Sequence, residues 1–314
     1  QFNSFSRAIY VQYRAAFDRD YAALLALLLV SLTLLILAGE QWTRGRVRYH
    51  RSTVGMVRPR NTIHLGVWRW PTMLFCAWIV LLALIMPVGV LTFWLIRGLQ
   101  QGEPLRLVWN AALSSVYSSA LAAALAVVAA MPLAVLTVRF RSRLASAYEG
   151  IAYAGYALPG IVIALALAFW TLNGPGVVGA LYQTLPLLVG AYALHFGALA
   201  LGPARVAVAS VPVRLDDAAR TLGRGRLGRL WSIDLPLMAP GLLAGGGLVL
   251  LSAMKELPLT LLLSPPGFPT LATRVWSAAE DAFWADASIA ALALVAVSGV
   301  LTWLLVVRRA QAVA

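Results

Sequence analysis

The sequence predicts an all-α, polytopic membrane protein with about seven transmembrane helices. Of its 314 residues, 61% are hydrophobic and only 12% are charged, against roughly 25% charged in a soluble domain. The mean hydropathy is +0.81. The apolar residues gather into seven long runs, and the basic residues crowd into alternate gaps between them. A surface this poor in charge faces lipid rather than water.

The runs cover approximately 21–39, 71–96, 109–138, 150–170, 184–204, 237–263 and 286–307. Each approaches or exceeds the roughly 20 residues that a helix needs to cross a bilayer. They lack the two-residue alternation of barrel strands, and a helix satisfies its own backbone hydrogen bonds in lipid. The first run is too long for a signal-peptide core, and no small-residue cleavage site follows it. The chain opens on Gln1 rather than Met, which fits a processed chain or numbering that begins inside a longer product.

Orientation follows from the basic residues. Segments 40–70, 139–149 and 205–236 and the C-terminal tail carry 18 of them, and the intervening segments 1–20, 97–108, 171–183 and 264–285 carry 6. The rule places the long basic loops and the C-terminus in the cytoplasm and the N-terminal stretch outside. A net charge of +13 is otherwise the footprint of a nucleic-acid binder. Its confinement to one set of loops argues instead for topology and for contact with anionic lipid headgroups, with no nucleic acid as partner.

Catalytic chemistry is missing. Ser, His and acidic residues form no recognisable nucleophilic set. Cys76 is the sole cysteine and lies inside an apolar run, where a buried small residue is expected. His50 and His64 lie in a basic loop without His or Cys partners at ligand spacing, so no metal site is predicted. His195 stands alone in an apolar span, where an interhelical hydrogen bond is expected, although polar groups in a membrane also mark pathways. The single lysine, Lys255, follows Met254, so the chain has no Gly-Lys-Ser/Thr phosphate loop. It is predicted not to hydrolyse ATP.

The most specific segment is the cytoplasmic loop 215–236. Asp216 or Asp217 suits a helix N-terminus, where a carboxylate meets free amides and the positive dipole end. Ala218 and Ala219 are small helix formers, and Gly223 suits the stop. A second stretch places Leu227, Leu230 and Trp231 among arginines and is expected to lie in the interface plane. Pro236 suits the start of the next span. The order Asp217-Ala218-Ala219, three residues, Gly223, nine residues, Ile233-x-Leu235-Pro236 resembles the cytoplasmic loop motif of bacterial ABC importer permeases. Asp217 stands where that family has Glu.

The resemblance implies a type I ABC importer permease fold over roughly 71–309 and a place in the bacterial inner membrane. It implies that Asp216, Asp217, Ala218, Ala219 and Gly223, with Ile233, Leu235 and Pro236, form a coupling loop docked on a dimer of separate ATP-binding cassette subunits. It also implies a periplasmic substrate-binding protein as partner. ATP would then be held by the partner subunit, and no cofactor by this chain.

The stretch from Ala239-Pro240-Gly241 through Met254-Lys255-Glu256-Leu257-Pro258-Leu259-Thr260, then Thr270-Leu271-Ala272-Thr273-Arg274-Val275, resembles the ferric-iron branch of that family, whose members often carry two fused six-helix units. A faint repeat agrees. Ser6-Arg7-Ala8-Ile9-Tyr10, then Phe17 and Asp20, resembles Thr273-Arg274-Val275-Trp276, then Phe283 and Asp286, each before an apolar span. The expected organisation is the end of a preceding unit at 1–39, a cytoplasmic basic linker at 40–70 and a six-helix unit at 71–314. Permeases for thiamine, polyamines or sulfate are sister readings. An ion-gradient transporter is the rival class, and it predicts several acids inside the spans.

Lys255 lies roughly 27 Å beyond Leu237 at 1.5 Å per residue, hence near the outer interface. Two readings stay open there: a snorkelling lysine whose neighbour sits in water, or a polar element of the pathway. On the second reading Lys255, Glu256 and His195 line the route, and Glu256 offers the oxygen ligands that a hard cation prefers. Gly241 and the run Gly245-Gly246-Gly247 are expected to let helices pack closely.

Overall fold

The computed structural model describes residues 4–14, 19–43, 65–103, 108–140, 143–212, 215 and 225–307. The described residues are helical and carry no strand. A short amphipathic helix, α1 (Phe5–Arg14), precedes the first span, α2 (Arg19–Thr43). The second span is built of α3 (Arg69–Val80), a π-turn (Leu81–Ile85) and α4 (Met86–Gln100). Helix α5 (Trp109–Arg139) is the third. Helices α6 (Arg143–Ala157) and α7 (Gly160–Leu172) follow, then the single turn α8 (Gly176–Gly179) and the long α9 (Leu185–Ser210). Beyond the loop that follows α9 come α10 (Arg226–Arg229), a π-turn (Leu230–Asp234) and α11 (Leu235–Met254). The chain then forms α12 (Pro258–Leu263), α13 (Leu271–Glu280) and α14 (Trp284–Thr302), which ends in a further π-turn (Trp303–Val307).

Among the described residues six helices are long and apolar enough to cross a membrane, and the pair α6–α7 makes a seventh span if counted as one. Hydropathy alone anticipates this number. It does not anticipate that two of the spans are broken. The run expected at 150–170 is bent by 106° between α6 and α7. Pro159 at the bend holds an extended backbone (φ −60°, ψ 137°), and a proline biases the residue before it away from the helix. The run expected at 237–263 stops at Met254 and resumes at Pro258. The first break, Leu158-Pro159-Gly160, is apolar, so hydropathy passes over it; the second carries Lys255 and Glu256, whose two charges are outweighed by the long apolar stretches on either side.

The core is made by α5, α9 and α11. The buried stripe of α5 runs through Ala111, Ser115, Ser118, Ala122, Ala126 and Ala130, three or four residues apart, so that only small side chains face the neighbours. In lipid, such stripes replace the hydrophobic effect with close backbone approach and dispersion. On α11 the three successive glycines face three different neighbours. A methyl group placed on Gly245 would lie 3.1 Å from the Ala200 backbone of α9, one on Gly246 3.2 Å from Val127 of α5, and one on Gly247 3.1 Å from Leu305 beyond α14. Successive helical positions are about 100° apart, so a run of glycines lets α11 sit centrally with contacts on three sides.

The α3–α4 span buries little. Cys76, expected inside, is exposed on α3, because this span meets other described elements chiefly at the end of α4. There Gly98 lies against Ala285 of α14, and Trp94 and Trp284 meet at 5.9 Å.

Polar groups in the core are tied to helix ends. Ser115 is 1% exposed, and its Oγ accepts from the backbone N–H of Leu271 at 2.8 Å. That N–H belongs to the first turn of α13 and has no partner inside its own helix. Ser115→Ala is expected to destabilise the protein by about 1–2 kcal/mol. Thermal unfolding in detergent measures this, and an unchanged midpoint would show that the amide finds another acceptor.

Candidate functional site

Asp216, Asp217, Ala218, Ala219 and Gly223, the residues expected to form the cytoplasmic dock, lie outside the described residues. The exit of the loop is described. Ile233 lies in the π-turn, and Leu235 and Pro236 follow in the next turn; the span begins earlier, at Leu230, so Pro236 falls inside a continuous helix rather than at its start. The stretch expected to lie separately in the interface plane instead runs without a break from Arg226 into α11. The reason is an ion pair. Arg229 donates to Asp234 Oδ2 from Nε at 3.0 Å, and its terminal nitrogen lies 2.9 Å from the same oxygen. A π-turn stacks residues five apart, which is the separation of this pair. Asp234 is 4% exposed, so the pair locks the loop exit onto the transmembrane helix. Asp234 occupies the variable position of Ile-x-Leu-Pro. Its signal in the sequence was an arginine five residues upstream, a spacing that means little unless a π-turn is expected.

A second ion pair joins Arg205 of α9 to Glu149 of α6. It ties the inner part of the bent pair to the core, and nothing in the sequence pointed to it.

The polar residues expected along a pathway fall in two places. Lys255 is exposed at the end of α11. Glu256 is half-buried. Its carboxylate reaches inward, and a methyl group placed on Gly160, the first residue of α7, would lie 2.5 Å from Glu256 Oε1 and 3.7 Å from His195 Nε2. His195 is 7% exposed and lies roughly 15 Å along α9 from Leu185. The Glu256 carboxylate thus reaches back to the start of α7, beside Gly160 and His195. The break in the chain after Met254 lets the side chain turn back.

His195 makes the interhelical hydrogen bond expected of it, with Nδ1 3.2 Å from the Gly155 carbonyl of α6. A carbonyl only accepts, so Nδ1 carries the proton and Nε2 faces the Gly160 side. Next to this, Thr260 Oγ1 donates to the Glu256 carbonyl at 2.5 Å and meets Tyr192 Oη at 2.5 Å. Thr260 has one hydroxyl proton and gives it to the carbonyl, so the tyrosine is the donor of the second bond. These contacts satisfy backbone freed by the broken helix, as a bilayer interior requires. Glu256 Oε1 is buried and has no hydrogen-bond partner among the described residues. The same residues contain no group of three or more His, Cys, Asp or Glu able to hold a metal.

The repeat also has a structural counterpart. Helices α1 and α13 are both ten residues long, and each precedes a spanning helix. Tyr10 and Trp276 are the sixth residues of the two helices. Each is followed seven residues later by Phe and ten residues later by Asp. The two rings touch edge to face, with centroids 6.1 Å apart.

Comparison with known proteins agrees with this architecture. The family model for binding-protein-dependent transport system inner membrane components matches residues 122–313. The Fe(3+)-transport system permease protein FbpB 2 of Haemophilus influenzae is 33% identical over 308 residues, which cover 97% of this chain and 60% of that protein. This chain therefore spans about three fifths of that relative. A probable molybdenum ABC transporter permease protein of Haloferax volcanii is 30% identical over 67% of this chain and 78% of its own length. A putative 2-aminoethylphosphonate transport system permease of Salmonella typhimurium is 25% identical over 46% of this chain and 54% of its own length. Among solved structures, a bacterial alginate ABC transporter in complex with its periplasmic protein superposes with a TM-score of 0.56 at 16% identity, over 76% of this chain and 92% of that one. The MetNI methionine ABC transporter, in an inward-facing conformation, gives 0.50 at 15% identity, over 71% and 97%. At such identities the structures attest the fold alone. The matched family model spans most of the chain, and the helices it covers are those of the observed bundle: this protein belongs to the inner-membrane components of binding-protein-dependent transport systems, the multi-pass permeases of ABC importers.

Proposed function

We propose that this chain forms the C-terminal part of a fused permease that moves ferric iron from a periplasmic binding protein into the cytoplasm. ATP hydrolysis on a separate cassette dimer drives the movement. The observation that carries the reading is the loop Asp217-Ala218-Ala219-x3-Gly223-x9-Ile233-x-Leu235-Pro236, set between two spans of a permease bundle. The ferric substrate is favoured by the alignment with FbpB 2, which runs along 97% of this chain. Six-helix unit 71–314 does the coupling, 40–70 is a basic cytoplasmic linker, and 1–39 ends a preceding unit. The pairing of Tyr10 with Trp276 supports that last assignment. The C-terminus is cytoplasmic, following the bias of its arginines. The chain binds no nucleotide or cofactor of its own, since its single lysine lies outside any phosphate loop.

Glu256 and His195 belong to the transport machinery on this reading, and Lys255 marks the outer end of α11. An ion-gradient transporter is the competing class. It is disfavoured because the spans carry almost no acid apart from Glu256. Two measurements test the proposal. Affinity purification of the full-length product from its native membrane is expected to bring down an ATPase. Ferric-iron uptake is expected to depend on the gene. An ATPase without gene-dependent iron uptake would move the substrate to another branch of the family, such as thiamine, polyamine or sulfate. Absence of an ATPase would overturn the importer reading.

A further inference from the structure

Both broken spans of the unit fail at the same place. Helix α7 starts at Gly160 after a 106° bend, and its preceding residue, Pro159, provides no side-chain cap. The first amides of α7 therefore present uncompensated positive ends. Into this spot comes the carboxylate of Glu256 from the other break, close enough that any Cβ at position 160 would meet Oε1 at 2.5 Å. It also interacts with the backbone N–H of Leu259, at the start of α12. The carboxyl group thus lies against both helix starts, and Oε1, the oxygen beside Gly160, is buried without a hydrogen-bond partner among the described residues. His195 closes the third side from α9 while holding Gly155 of α6. Nearby, Thr260 is committed to the Glu256 carbonyl and Tyr192 to Thr260.

We propose that Glu256 is a positioning residue that latches the two broken spans to each other, and that Gly160 is the seat that admits its carboxylate. The inference rests on the permease reading above for its transport consequence but not for its geometry. Half-helices joined by short irregular links pivot more easily than continuous ones. A side chain set against both links couples them, so that a push arriving through α11 from the loop before it is handed to α7 rather than dissipated at the break. Glycine is required at position 160 by this close approach, not by backbone conformation, since Gly160 has no unusual φ.

The test is a double-mutant cycle on the assembled transporter, with Gly160→Ala, Glu256→Ala and both together, plus Glu256→Gln. Each single change is expected to lower uptake about tenfold, and the double to be no worse than Glu256→Ala alone, because the added methyl then occupies vacated space. Glu256→Gln keeps the shape but turns one carboxyl oxygen into an amide NH2, which the tight seat beside Gly160 does not accommodate, so it is expected to fail as Ala does. Wild-type uptake in Glu256→Gln would overturn the latch, since packing alone would then suffice. Losses that multiply in the double variant would also overturn it. Thermal unfolding of the same four proteins repeats the cycle without transport. Non-additive midpoints beside a wild type that transports nothing would sink the permease reading and leave the latch standing. Additive midpoints beside an active wild type would do the reverse.

Discussion

Gly223→Asp is expected to reduce uptake by about tenfold or more while leaving the permease inserted and associated with its ATPase. Gly223 is placed where the short helix begun by Asp216 and Asp217 should end. The position after a helix favours glycine, because the left-handed conformation that ends the helix costs other residues more. Aspartate there meets that penalty. It also puts a negative charge at the negative end of the helix dipole, which is unfavourable by a further few tenths to about 1 kcal/mol. The proposed dock must fit a cleft closely and move as a rigid body, so a frayed end loses transmission rather than assembly. The measurements are uptake in cells and ATP hydrolysis by the purified complex. Hydrolysis that persists without uptake is the expected signature of uncoupling. Normal uptake would remove this loop from the coupling role. Ala219→Leu, one turn earlier, is expected to behave alike, since bulk replaces the small face.

Gly245→Val is expected to destabilise the bundle by about 1–3 kcal/mol or more through overpacking, and to lower the yield of folded protein accordingly. The first atom of the new side chain would meet Ala200 at 3.1 Å from Cα and 3.1 Å from the carbonyl oxygen. Both are backbone atoms of α9 and cannot step aside without moving the helix. Gly246→Ala is the internal comparison. Its methyl would meet only Val127 Cγ2 at 3.2 Å, the end of a side chain, and a milder effect is expected. Thermal unfolding in detergent orders the two variants. Equal midpoints would mean that the α9–α11 contact relaxes more readily than its geometry implies.

Much of this was legible in the chain. The Gly245-Gly246-Gly247 run announces close packing, and the fan of contacts around α11 shows three neighbours using it. Pro236 announces the start of a span, but the helix begins ten residues earlier, at Arg226. His195, alone in an apolar run, announces an interhelical bond and makes one to Gly155. The Pro159-Gly160 pair was also in view. Read as part of a continuous hydrophobic run it was passed over, because hydropathy averages over a window and a bend leaves the average unchanged.

By itself, the sequence determined the number of spans and the permease family. Each depends on composition or on residues close together along the chain, where physical chemistry acts through local spacing. Tertiary structure alone decided that Glu256 would be seated on Gly160, that Arg205 would bind Glu149 and that Tyr10 would meet Trp276. These partners lie tens to hundreds of residues apart, and no periodicity links them. Their contacts follow from where two helices break and turn, which only the packing of the whole bundle selects.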